Sequence, residues 1–200
     1  MTELGLKSRV RVKKYSSYKG EQGKGAPNVL ARNFHATRLN EKWVTDLTEF
    51  KVRGKKLYLS PVMDLYNREI VSYQLSELPN FNQVMQMLNK AIEKLPEQKA
   101  ALTLHSDQGW QYRMPRFQSV LREEHIQQSM SRKGNCLDNA VIENFFGTLK
   151  SELYYLKKYK SIQELKREIK EYIQYYNQER ISLVLNGMSP IQYRAHHYRN

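Results

Sequence analysis

Only one cysteine, Cys136, occurs in the 200 residues. No disulfide can therefore close within the chain, and a reducing compartment suits it. No apolar run approaches the roughly 20 residues that span a bilayer. The opening MTELGLKSRVRVKKY also lacks the apolar stretch of a secretory signal. These absences lead to the expectation of a cytoplasmic protein with no membrane partner. Acidic residues are scarce as well: 20 Asp and Glu stand against 33 Lys and Arg, a formal net charge of +13. An excess of that sign and size points to a polyanion, and inside a cell to nucleic acid, with association to the nucleoid as the expected location. Hydrophobic residues are not scarce. They make up 40% of the chain, with 11% aromatic, more than disordered chains carry. The length suffices for one domain with a sizeable core.

Residues 1–36 differ from the rest. Lys7, Arg9, Arg11, Lys13, Lys14, Lys19, Lys24 and Arg32 face only Glu3 and Glu21, and the apolar residues have no period. This is a basic N-terminal arm that lies on DNA, or a solvated linker, without fixed structure in the free protein. The core is expected over 37–195. KWVTDLTEF predicts a strand, and KLYLSPVMDLYN and EIVSYQLSEL predict two more, joined by a turn at Asn67–Arg68. Pro61 inside the second signals a bulge or an edge. Phe81, Val84, Met85, Leu88, Ile92 and Leu95 recur at helical spacing until Pro96. ALTLHSD reads as a short strand, Phe117 to Leu121 as a short helix and IQQSM as a last strand. SRKGNCLDN is a polar loop, and Asp138 is the predicted N-cap of a long helix from about 139 to 156. A second long helix runs from about 161 to 177, and Ser189–Pro190 opens a short terminal one. The order predicts an α/β fold, a mixed sheet flanked by helices, with additional C-terminal helices.

Three acids stand out by position. Asp46 interrupts the first strand, Asp107 follows ALTLHS, and Glu143 sits in the first turns of the long helix, with 60 and 35 residues between them. A carboxylate within an apolar strand is costly unless it is paired or holds a cation. Mg²⁺ takes oxygen ligands and keeps several waters, so a few carboxylates and substrate phosphates suffice. Each acid also has a plainer reading. Asp107 can cap a turn before Gly109, Glu143 can be a helix-face charge, and Asp64 in the second strand is a rival. His105 is read as a packed strand histidine and Cys136 as a small buried residue. Arg132 and Lys133 are candidate phosphate contacts, and Asn139 and Asn144 can touch DNA or cap the helix. Gly147 costs a helix about 1 kcal/mol against Ala. Either close approach by DNA or packing on another helix accounts for it.

Four stretches, WVTDLTEF, LHSDQGWQY, SMSRKGNCLDNAVIENFFGTLKSE and YYNQERISLVLNGMSPIQYR, together resemble the insertion-sequence transposases of the IS-three family, in particular their second-reading-frame product. The resemblance covers roughly residues 37–195. It implies an integrase catalytic core, similar to retroviral integrase, with a ribonuclease H-like fold. It implies a polynucleotidyl transferase, with Asp46, Asp107 and Glu143 as the catalytic, metal-binding triad. Two Mg²⁺ ions, or Mn²⁺ in their place, are implied, about 4 Å apart in such sites. Lys150, seven positions after Glu143 and on the same helix face, stands where the family has a basic residue for DNA. The implied partners are element ends, target DNA, further copies of the chain on DNA, and a first-reading-frame helix-turn-helix protein that supplies end recognition. The competing readings are a non-catalytic DNA-binding remnant and a nuclease of the same fold that only hydrolyses.

Overall fold

A computed structural model describes residues 23–97, 101–132 and 136–197. Neighbouring residues Trp43 and Val44 are both fully buried. A strand buried on both faces needs an apolar layer above and below it, and the chain supplies both. Trp43 belongs to a core shared with α1 (Phe81–Ile92) and α2 (Pro115–Glu123), while Val44 belongs to a core shared with α3 (Ala140–Leu149) and α4 (Ile162–Gln178). Between these layers lies a six-stranded mixed sheet. β3 (Lys55–Asp64) pairs antiparallel with β4 (Ile70–Ser76) on one side, and with β1 (Lys42–Thr45) and β2 (Thr48–Val52) on the other. β1 runs parallel to β5 (Leu102–Ser106), and β5 parallel to β6 (Ile126–Met130). A short helix, α5 (Pro190–His197), packs with α4 at the C-terminal end.

The single strand predicted from KWVTDLTEF is split. Thr45 pairs with Val62 and Thr48 with Leu59, so the register is continuous across the gap, and Asp46 and Leu47 stand opposite Pro61 and Ser60. Pro61 offers no N–H to a ladder, and the Asp46 carboxylate accepts the Leu47 N–H at 2.7 Å instead. Such local side-chain bonds compete with strand pairing. The bulge signalled by Pro61 lies beside it, at Val62/Met63 in the β3–β4 pairing.

The long helix predicted to about residue 156 is α-helical only to Leu149. A π turn follows over Lys150–Tyr154, closed by Tyr155 N–H to Lys150 O at 2.8 Å. Widening carries Tyr154 to the free edge of β2. There its hydroxyl accepts from Lys51 N at 3.1 Å and donates to Lys51 O at 2.7 Å. The predicted N-cap is also corrected: Asn139 holds that position, without a side-chain capping bond. Asp138 is drawn away because its buried carboxylate is bonded by Arg132, Arg32 and Asn28.

Residues 23–36, read from the sequence as part of an arm without fixed structure, form a strap along β6. Met130 N–H donates to Pro27 O at 3.2 Å, Val29 and Leu30 N–H donate to Ser129 Oγ, and Leu30 and Ala36 enter the α3–α4 core. The strap covers a sheet edge that would otherwise be open. The rest of the arm, residues 1–22, lies outside the described residues.

Candidate active site

Parallel neighbours β1 and β5 both end at the same rim of the sheet, and each is followed at once by an aspartate. Asp46 and Asp107 therefore face one cleft of about 540 Å³, lined also by Glu49, Tyr58, Trp110, Tyr112 and Lys150. Asp107 does cap the turn: its Oδ1 accepts Gly109 N–H at 2.8 Å. A Cβ on Gly109 would stand 2.8 Å from that oxygen and 3.3 Å from the Tyr112 ring, so a larger residue would displace the carboxylate from this position. Capping does not neutralise the acid. Burial pushes the Asp107 carboxyl up, against the opposing pull of the Gly109 bond and the Arg113 charge. A carboxylate with that environment favours a cation in its cleft.

The third predicted acid is not brought to the first two. Glu143 is exposed on α3, outside the residues that line the cleft. Among the described residues no group of three or more His, Cys, Asp or Glu side chains is placed to share a metal ion. Lys150 lies on the same helix face, roughly 10 Å along the axis from Glu143, and it does line the cleft, with Nζ 5.5 Å from the Phe50 ring centre. Between them Gly147 is exposed, and a Cβ added there would meet nothing within 4 Å. Packing on another helix therefore does not account for this glycine.

The other candidates scatter. Asn139 is buried and donates to Thr45 O at 3.3 Å, tying the start of α3 to the end of β1. Asn144 is exposed on a different side of α3, in a groove with Tyr176 and Arg180. The Arg132 guanidinium is half exposed and forked onto Asp138, and it holds that carboxyl far below the usual range. Lys133 lies outside the described residues, as does the side chain of Cys136. Asp64 is no rival: it is buried at the end of β3, accepting from Asn40 N, Trp43 Nε1 and Tyr66 N. His105 is packed as expected, its ring nitrogens 2.8 Å from Ser129 Oγ and 3.1 Å from Ser131 Oγ. Burial lowers its pKa. Sequence reasoning missed Tyr112 and Trp110 in the cleft, although both stand inside LHSDQGWQY beside Asp107.

Sheet order and the paired aspartates define a ribonuclease H-like domain, and solved structures with that fold superpose on it. The HTLV-2 integrase catalytic core, solved in complex with magnesium, matches with a TM-score of 0.56 at 19% identity, covering 79% of this chain and 98% of that one. The catalytic domain of the Mos1 mariner transposase matches with a TM-score of 0.56 at 14% identity, over 68% of this chain and 70% of that one. In sequence, residues 36–136 match the integrase core domain, and residues 143–198 match a second segment of the same description. The InsK protein assigned to insertion sequence element IS150 of Escherichia coli as its transposase is 61% identical over 99% of this chain and 70% of its own length. A transposase-like protein of Haemophilus influenzae is 54% identical over 98% of the chain and 89% of its own length. The InsF transposase of IS3A from Escherichia coli is 30% identical over 94% of the chain and 66% of its own length. The chain belongs to the insertion-sequence transposases with an integrase catalytic core. No helix among the described residues is long and apolar enough to cross a membrane.

Proposed function

We propose that the Asp46–Asp107 cleft cleaves element ends and joins them to target DNA, and that Glu143 is its third carboxylate. The observation that carries this reading is the meeting of two aspartates from adjacent parallel strands in one cleft, one of them half-buried and raised in pKa. The donor set is all oxygen and fits a hard cation such as Mg²⁺ or Mn²⁺. Asp46 and Asp107 would hold one ion, and Asp46 and Glu143 a second. Such ions, when bound, activate an attacking oxygen and stabilise the leaving one. Gly109 N–H fixes one Asp107 oxygen, which leaves the carboxylate oriented before any ligand arrives. Lys150 places a positive charge at the cleft's rim for a DNA phosphate. Asn139 anchors the start of α3 to the end of β1. Arg132, Lys133 and Asn144 are proposed DNA contacts outside the cleft, and Arg132 would have to share its guanidinium with Asp138.

DNA ends and target DNA are the proposed substrates. A homo-oligomer on DNA and a first-reading-frame helix-turn-helix protein are the proposed partners, and residues 1–22, with six Lys or Arg against two Glu, add sequence-independent affinity. The test is a strand-transfer assay with labelled element ends and Mg²⁺, with and without the first-frame protein. Joined product is expected. DNA binding without product in either arm would instead favour a non-catalytic DNA-binding role, and cleavage without joining would favour a nuclease.

A further inference from the structure

One turn beyond Lys150 the chain exposes two large side chains in succession. Tyr155 is 70% and Leu156 73% exposed, where the π turn ends. Single exposed apolar residues are common on protein surfaces, but this pair stands on a segment that is tied down. Tyr155 N–H donates to Lys150 O at 2.8 Å, and the Tyr154 hydroxyl bonds both backbone groups of Lys51 in β2. Short π turns occur frequently at functional sites, and this one builds a ladder of aromatic contacts. Lys150 Nζ, at the cleft, stands 5.5 Å from the Phe50 ring centre. Phe50 meets Tyr154 edge to face at 5.2 Å, and Tyr154 meets Tyr155 at 5.3 Å. The ladder begins in the core at Phe50 and ends in solvent at Tyr155. Tyr155 is thus held one turn from the cleft with ring surface left uncovered.

The surroundings of that ring are cationic. Lys158 is exposed three residues on, and Lys51, also exposed, carries Tyr154 on its backbone and keeps a long 3.8 Å contact to Glu49. Lys150 stands at the inner end of the ladder. An occupant of this place must be flat and apolar where it meets the ring and negatively charged around it. An unpaired nucleotide has both properties, a base with a π-face and a phosphate on each side. An apolar protein patch would leave the lysines without a countercharge.

We propose that Tyr155 is a stacking platform for an unpaired base of the DNA that enters the cleft, with Lys150 and Lys158 at phosphates near that base. This rests on reading the cleft as a DNA site. Stacking on an aromatic side chain is tolerant of sequence, and its loss on substitution by alanine typically weakens binding roughly tenfold or more.

The test is fluorescence anisotropy with two labelled duplexes of one sequence, one blunt and one with a short 3′ overhang. Wild type, Tyr155→Ala and Tyr155→Phe are compared. All three should melt alike, since the ring is exposed and Tyr154 makes the bonds to β2. Tyr155→Ala is expected to bind the overhang duplex roughly tenfold more weakly and the blunt duplex nearly as wild type does. Tyr155→Phe, which keeps the ring, is expected to match wild type on both. Unchanged affinity of Tyr155→Ala for the overhang duplex would overturn the proposal. If that variant also sediments as a smaller species than wild type without DNA, the ring belongs to a protein interface. An equal loss on both duplexes would overturn it too, and so would a loss in Tyr155→Phe as large as in Tyr155→Ala, which would point to the hydroxyl. Failure of wild type to bind either duplex would sink the DNA reading of the cleft itself, and the platform with it.

Discussion

Asp64 is buried and Asp107 half-buried, and burial raises the pKa of both, yet their partners give them different work. Asp64 is satisfied by three N–H donors and is pushed up to about 6. Its folded value lies above the ordinary one near 3.9, so the folded state holds the proton more tightly. Its contribution to stability should fall as pH rises from about 4 to about 6, and stay constant above that. Asp64→Asn removes this dependence and turns an N–H toward one of the three donors. A loss of about 1–3 kcal/mol in a neutral urea melt is expected, with Mn²⁺ affinity unchanged. Weakened Mn²⁺ binding in that variant would return Asp64 to the list of ligands. Gly147 gives the opposite trade. Space around it is open, so Gly147→Ala should stabilise the fold by about 1 kcal/mol while weakening DNA binding, if a DNA backbone rests on that face. A stabilised variant with unchanged affinity in a filter-binding assay would leave the glycine without a role in DNA contact.

At the scale of elements, the strap over 23–36 and the start of α3 are joined through Asp138, which meets Asn28, Arg32 and Arg132. The hydrogen bonds and charge of Arg132 hold its carboxyl well below the ordinary value. Stability from this group is therefore present above about pH 4 and is lost as pH falls through the lower folded value. Asp138→Asn should release the strap. Hydrogen exchange would then speed up at Met130 N–H, which donates to Pro27 O, and at the Val29 and Leu30 amides, while β1 and β5 amides keep their protection. Uniform loss of protection would mean that the clamp supports the whole sheet. This clamp was not legible in the sequence, because it joins residues 106 and 110 positions apart that carry no local pattern. Strands and helices with a clear period, such as Ile70–Ser76 and Phe81–Ile92, were legible because their burial repeats along the chain. The split at Asp46 and the π turn at Lys150 were not, since each is set by a distant residue, Pro61 in one case and Lys51 in the other. The two aspartates were legible as a pair through the motifs around them. The position of Glu143 was not, because helix periodicity gives a face and no distance to the sheet.

For the molecule as a whole, the proposed function divides the work: the net charge of +13 would set how tightly it grips DNA, and the cleft what it does there. The two are separable. Lys150→Ala should weaken binding to all sequences alike, and lower the slope of log K against log salt by roughly one unit. An unchanged slope would assign Lys150 to helix solvation. Glu143 should behave differently, since glutamine keeps the shape and helix preference of glutamate and removes only the charge. The loss should then fall on the chemical step and not on affinity. The most direct measurement is single-turnover joining of labelled element ends at saturating DNA with Mg²⁺, comparing wild type with Glu143→Gln. The account predicts joined product from wild type and none from Glu143→Gln, with the two proteins binding DNA alike. Joining by Glu143→Gln at the wild-type rate would contradict it, and would remove Glu143 from the site.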